Sequence, residues 1–210
     1  MEKIEKQLLE IIADQSDVDQ AHDLTHVKRV VEMAKHLCFL EGANIEIVLP
    51  AACLHDCVLI PKNSDERKIA SALSADRAIQ YLEKFGYNSD YFKFIHHAIV
   101  AHSYSANVQP LTLEAKIIQD ADRMDALGAI GISRCMQVGG SLGLQLYCHD
   151  DPFCVNRSLN DREYIVDHFY EKLLKIGKSM QTTSAKNEAM KRVDYMEGFL
   201  DQLKIEINYM

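Results

Sequence analysis

Tryptophan is missing from the 210-residue chain, and proline (4) and glycine (9) are sparse. So few breakers leave room for long helices, and no segment shows the period-two alternation of a half-buried strand. Long basic runs are missing as well. With a formal net charge of −8, the chain carries no electrostatic footprint for a nucleic-acid backbone. The longest apolar run, 45–60, is broken by Glu46, Pro50, His55 and Asp56, so it cannot span a bilayer. The opening stretch MEKIEKQLLEIIADQSD is charged and amphipathic and lacks the apolar core of a signal peptide. These absences predict a cytoplasmic protein with neither a membrane nor a nucleic-acid partner. Internal repeats and Ser/Pro-rich linkers are also lacking.

What is present is ordinary for a globular domain: 48% hydrophobic and 26% charged residues, in a length that can bury a proper core. The six cysteines (Cys38, Cys53, Cys57, Cys135, Cys148, Cys154) mostly sit in apolar runs rather than at regular loop spacings. Reduced core cysteines are expected rather than a disulfide framework. Cys53 and Cys57 are four apart, but structural zinc needs a second ligand pair, and no CxxC is found. His22 and His26 are also four apart, yet no Glu follows His22, which excludes the HExxH protease motif.

Apolar periodicity is helical nearly everywhere. Ile4, Leu8, Leu9 and Ile12 mark a first helix, and Leu24 to Cys38 a second, ending near Gly42. A third is expected from about Ile45 to Cys57, with Pro50 kinking it or marking its first turn. Others are expected from about Asp65 to Phe85, Asp90 to His102, Leu113 to Leu127, Asp161 to Ile176 and Ser184 to Ile207. The glycine-bearing stretch 128–160 reads as part helix, part irregular loop. In the last helix Ala189, Val193, Met196, Leu200, Leu203 and Ile207 form a stripe that must pack on the body or on a partner chain, so a homodimer stays open. The class is all-α: a single domain over 1–210, with one main bundle (core about 20–130) and a C-terminal helical part (about 160–207) packed on it.

Ionisable residues interrupt these apolar helices. His55-Asp56 ends the run Leu49-Pro50-Ala51-Ala52-Cys53-Leu54, where an unpaired charge would be costly. His26 lies on the second helix beside Val27 and Val30, and Asp23, three residues earlier, can cap that helix and orient a histidine. In Ile117-Ile118-Gln119-Asp120-Ala121-Asp122-Arg123-Met124-Asp125, Asp122 and Asp125 share a helix face and Asp120 points roughly the other way. Three clustered carboxylates cannot all be buried as free anions, and a cation is the simplest compensation.

His26, His55-Asp56 and Asp122, in this order and all on helices, resemble the H…HD…D ligand set of the HD-domain metal-dependent phosphohydrolases. The surrounding residues resemble one bacterial subgroup implicated in nucleotide (pyro)phosphohydrolysis. These are Ala21-His22-Asp23-x-x-His26-x-x-Arg29-Val30, Leu54-His55-Asp56 and Asp120-Ala121-Asp122-Arg123-Met124-Asp125-Ala126-Leu127-Gly128. The likeness continues through Pro61-Lys62-Asn63-Ser64, Ala101-His102-Ser103-Tyr104-Ser105 and Asp167-His168-Phe169, and so covers almost the whole chain. It implies an all-helical domain holding one divalent metal between helices.

On that resemblance His26, His55, Asp56 and Asp122 are the metal ligands, with Asp120 in reserve. Two imidazoles and two carboxylates suit Mn²⁺, Mg²⁺, Fe²⁺, Co²⁺ or Zn²⁺, with Mn²⁺ favoured. Neighbouring helical residues point about 100° apart, so His55 and Asp56 reach one ion only near a helix end or distortion. Lys62, Asn63 and Arg67, just beyond the His-Asp helix, are candidate phosphate contacts. Arg123 pairs either with acids or with substrate. His97 or His102 could bind phosphate or protonate a leaving oxygen, and Asp56, His97 and His102 are the candidate catalytic residues. His96 is expected at the surface. Asp23, Asp120 and Asp125 are the candidate supporting residues around the ligands.

The expected reaction is attack of metal-activated water on a nucleotide, most of all releasing pyrophosphate from nucleoside triphosphates. Nucleoside monophosphate or phosphodiester hydrolysis is the alternative. A non-catalytic, metal-stabilised ligand sensor on the same fold is the rival class.

Overall fold

The computed structural model describes residues 2–13, 24–58, 69–103 and 106–208. Helices carry these residues: α1 (Glu2–Ala13), α2 (Leu24–Glu41), α3 (Ile45–Leu54), α4 (Ala70–Lys84), α5 (Phe92–His102), α6 (Leu113–Met124), α7 (Gly128–Ser141), α8 (Ile165–His168), α9 (Leu174–Gly177) and α10 (Thr183–Ile207). A 3-10 turn, Ser89–Tyr91, leads into α5, and a π turn, Phe169–Leu173, joins α8 to α9. The fold is all-α. The only sheet-like pairing among the described residues is an isolated bridge between Gln145 and Tyr164. No described helix is long and apolar enough to cross a membrane.

The chain forms two compact units. One is Met1–Asp122 with Gln181–Ala185; the other is Arg123–Met180 with Lys186–Met210. In the first, α3 lies against α1, α2 and α5, and α4 packs on α5. Every residue from Ile47 to Leu54 is buried, as expected of a helix that is apolar on all sides. Val27, Val30, Val31, Ala34 and Leu37 of α2 and Ile95, Ala98 and Ile99 of α5 complete this core.

Pro50 sits inside α3, not in its first turn. A proline there has no N–H for the carbonyl four residues back, which belongs to Glu46. The Tyr87 hydroxyl donates to that carbonyl at 2.7 Å and replaces the missing bond. Asn44 caps the start of α3 by accepting from the Glu46 N–H.

The last helix begins in the first unit because two carboxylates hold its start. Asp120, wholly buried, accepts from the backbone N–H groups of Gln181 and Thr182 and from the Thr182 hydroxyl, each at 2.8 Å. Thr182 in turn caps the helix, its hydroxyl oxygen accepting from the Ala185 N–H at 3.3 Å. Glu41 accepts from the Ser184 N–H at 2.7 Å. Anionic groups at a helix N-terminus are favoured by its dipole.

In the second unit Ala189, Met196 and Leu200 of α10 are buried, so that part of the stripe is core. Phe199 stacks on Phe169 with centroids 6.0 Å apart, and Arg192 donates to the Met124 carbonyl. Asp167, with no exposed surface, receives both Arg157 Nη1 and Nη2, at 2.6 and 2.8 Å, and the Asn160 N–H. The α7 backbone runs so close to Ala126 that any side chain at Gly131 would collide with the Ala126 carbonyl.

Several boundaries differ from the sequence expectation. Helix α3 ends at Leu54 rather than Cys57, because the backbone turns at His55-Asp56 and Cys57 N–H bonds to the Leu54 carbonyl. Helix α6 ends at Met124 rather than Leu127, where single turns close Ala126 on Arg123 and Leu127 on Met124. The helix expected from Asp161 starts only at Ile165, since Tyr164 is extended and bridged to Gln145. All six cysteine thiols are unbridged, with Cys38, Cys53 and Cys57 in the core.

Candidate metal centre

Four helices of the first unit bring polar residues to one point. Helix α2 supplies His26 from its first turn, 2% exposed. The buried α3 supplies His55, with no exposed surface, and Asp56 in the turn that follows. Leaving the helix at Leu54 turns these neighbours toward a common space. Helix α6 supplies Asp122 and the end of α5 supplies His102.

The distances are short. His26 Nε2 lies 3.5 Å from Asp122 Oδ1. His55 Nε2 lies 3.7 Å from Asp56 Oδ2 and 3.9 Å from Asp122 Oδ1. One donor atom each of His26, His55 and Asp56 falls within 4.8 Å of the others. Donors held about 2.1 Å from an octahedral ion stand roughly 3.0–4.2 Å apart, so this set is close to ligating geometry.

The protonation of His55 explains what the space wants. Its Nδ1 sits 2.8 Å from the Ala52 carbonyl, which can only accept, so Nδ1 carries the proton. A neutral ring then presents a bare lone pair at Nε2. That atom is fully buried and has no hydrogen-bond partner among the described residues. Burial lowers the pKa of His55, more than Asp56 and Asp122 can offset, so the ring stays neutral. An acceptor nitrogen therefore faces acceptor oxygens, and a cation between them reconciles the two. His26, His55 and Asp56 fit a divalent metal on these grounds, and Asp122 borders the same space, 3.5 Å from His26 Nε2.

His102 occupies the other side of Asp56. Its Nε2 is 3.4 Å from Asp56 Oδ1, its ring is 5.0 Å from the His55 ring, and its Nδ1 donates to the Ile99 carbonyl. Burial lowers its pKa, but Asp56 and Asp122 outweigh burial and carry it to about 9. The pKa values of His55 and His102, with rings 5.0 Å apart, are thus moved in opposite directions.

Other expected site residues are engaged elsewhere. His97 Nε2 accepts from the Leu111 N–H at 3.0 Å. His96 is 40% exposed and pairs with Asp76. Arg123 donates to the Ser179 carbonyl and hydroxyl, both at 3.0 Å. Asp125 lies past the end of α6 and pairs with Arg134. Asp120 spends its carboxylate on Gln181 and Thr182. Asp23, Lys62, Asn63 and Arg67 lie outside the described residues.

Sequence reading missed Gln119. Only 3% exposed, it donates from Nε2 to the Ala101 carbonyl at 2.7 Å and accepts from Gln181 Nε2 at 3.2 Å. A glutamine inside an apolar run was the available signal.

Residues 23–127 match the HD domain family. The protein YpgQ of Bacillus subtilis (strain 168) is 31% identical over 210 residues, 98% of this chain and 93% of that one. A crystal structure of an HD-superfamily hydrolase from Bacillus thuringiensis is 34% identical, with a TM-score of 0.78 over 100% of this chain and 99% of the other. The structure of B. subtilis YpgQ in complex with ADP is 30% identical, with a TM-score of 0.75 over 97% of each chain.

Proposed function

The chain belongs to the HD domain family, whose members are metal-dependent, and from that premise we propose that it is a metal-dependent phosphohydrolase of nucleotides. The observation that carries this reading is the buried His55 lone pair facing Asp56 and Asp122 beside His26. In this reading His26, His55, Asp56 and Asp122 hold one divalent ion. When bound, such an ion polarises a phosphoryl oxygen and lowers the pKa of a water toward ~7.

The chain's own residues do the rest. The Nδ1–H bond to Ala52 fixes the His55 tautomer and keeps its lone pair directed into the site. His102, beside Asp56, stands where it can bind a phosphoryl oxygen or give a proton to the leaving one. His97 is tied to the Leu111 N–H, so His102 is favoured for that role. Lys62, Asn63 and Arg67 are assigned to phosphate contact on the family resemblance alone. An acidic chain must supply such local positive charge to hold an anion.

A nucleotide ligand is favoured because a structure similar to this chain holds ADP. Within that class we assign release of pyrophosphate from nucleoside triphosphates, on the likeness to the pyrophosphohydrolase subgroup. The test is a product assay with Mn²⁺ and separately Mg²⁺ on nucleoside triphosphates, deoxynucleoside triphosphates and monophosphates, with pyrophosphate and phosphate quantified separately. Pyrophosphate from triphosphates, lost in Asp56→Ala, is expected. Phosphate from monophosphates alone would replace that reaction with a phosphatase. Complete inertness, diesters included, would leave a ligand sensor.

A further inference from the structure

Helix α5 delivers His102 as its last residue, and a helix end leaves its final carbonyls without backbone partners. Side chains take over that duty here. The Ile99 carbonyl accepts from the His102 ring itself, and the Ala101 carbonyl accepts from Gln119 Nε2 at 2.7 Å. Ser103, extended at φ −69° and ψ 127°, continues the chain away from the helix.

The Gln119 amide has only one workable orientation. Ala101 offers an acceptor, so the Gln119 nitrogen must face it. The Gln119 oxygen then faces Gln181, whose Nε2 donates at 3.2 Å. Gln181 is itself fastened by its backbone N–H to Asp120. Gln119 also precedes Asp122 by one helical turn, so one face of α6 holds both the end of α5 and a carboxylate of the site.

We propose that Gln119 is a positioning residue for His102: by closing the last turn of α5 it sets His102 Nε2 against Asp56. The placement of His102 stands on geometry alone, whereas its consequence for turnover rests on the hydrolytic reading above. Gln119 touches neither the ligand set nor the reacting groups; it acts through the Ala101 carbonyl. Without it a buried carbonyl loses its donor, the last turn of α5 relaxes, and the His102 ring moves relative to Asp56.

Gln119→Leu keeps the bulk and removes the amide. The first readout is the His102 imidazole resonance in histidine-labelled, metal-free protein, which is expected to shift. Mn²⁺ affinity is expected to stay within about twofold, the tolerance for independent sites. With nucleoside triphosphate and Mn²⁺, kcat is expected to fall at least about tenfold, the scale on which a misplaced group costs rate, while KM changes little. In a His102→Ala background Gln119→Leu is expected to add no further loss.

Gln181→Met, which removes the bond orienting Gln119 and keeps the backbone bond to Asp120, is expected to move the same resonance less and in the same direction. It keeps the test decisive if Gln119→Leu folds poorly. A His102 resonance unmoved in both variants, or a full additional loss in the double variant, overturns the proposal. If His102→Ala alone keeps full activity, the assigned role of His102 in the reaction is what fails. The resonance then decides the positioning role by itself.

Discussion

The two units answer their carboxylates differently. In the second, Asp167 meets both arms of Arg157, and Asp125 meets Arg134. In the first, Asp120 is answered by amide and hydroxyl donors from Gln181 and Thr182, while Asp56 and Asp122, 25% and 29% exposed, face imidazole nitrogens. Compensation for Asp167, Asp125 and Asp120 is built into the chain. Asp56 and Asp122 face the imidazoles of His26, His55 and His102 instead. Asp120, Asp125 and Asp167 are 0–5% exposed, so the acids answered within the chain are also the more deeply buried ones, and burial and the groups their oxygens face divide the two sets together.

Asp122→Asn puts that contrast to its hardest test. It keeps the shape and removes a charge, so Mn²⁺ affinity should fall by at least ~100-fold, as much as even an outer partner of a metal ligand can cost. Metal-dependent turnover should go with it, while the thermal midpoint of the metal-free protein changes little; titration calorimetry and the product assay read both. Arg157→Leu reverses the pattern. It strands Asp167 in the core and should cost about 3 kcal/mol of stability in denaturant unfolding, with Mn²⁺ affinity unchanged.

The same pair predicts an acid dependence. Burial raises the Asp167 carboxyl pKa, but Arg157 and the Asn160 N–H outweigh it and hold the carboxyl below its ordinary value. The stabilisation is therefore complete above the ordinary aspartate pKa and lost as pH falls through the depressed one. Unfolding of the parent protein should steepen in acid, and that steepening should shrink in Arg157→Leu.

Asp120→Ala leaves donors at the start of α10 without an acceptor and should cost about 2 kcal/mol. The smallest effect belongs to Tyr87→Phe, about 1 kcal/mol for the Glu46 carbonyl that Pro50 cannot serve. Adding Pro50→Ala should recover most of it, because an alanine at that position brings its own N–H. Additive losses would show that the Tyr87 hydroxyl does not stand in for that bond.

The all-α class and most helices were legible because apolar residues recur at helical spacing and only Gly and Pro interrupt them. The helix ends were less so. His55-Asp56 and Asp125-Leu127 continue an apolar pattern past the point where the backbone turns, and side chain-to-backbone bonds leave no mark in periodicity. The order His26, His55-Asp56, Asp122 was readable, and so was the opposed direction of Asp120, which follows from helical geometry. The choice between His97 and His102 was not: five residues apart on one helix, they differ only in what the fold sets beside them, Leu111 in one case and Asp56 in the other. Arg157 with Asp167 and Gln119 with Ala101 join residues across loops, and no local pattern marks such pairs.

The hold of Asp120 on Gln181 and Thr182 carries a cost in the order of assembly. A ribosome makes the chain from the N-terminus, and domains generally fold as they emerge. Helices α1 to α6 appear first, yet the donors for a wholly buried carboxylate are encoded some sixty residues later, at a sequence separation of 61 to 62. Until that segment leaves the exit tunnel, these bonds to Asp120 cannot form. A nascent chain arrested just before Gln181 would then hold every ligand of the candidate metal centre while lacking the contact that closes the helix bearing Asp122.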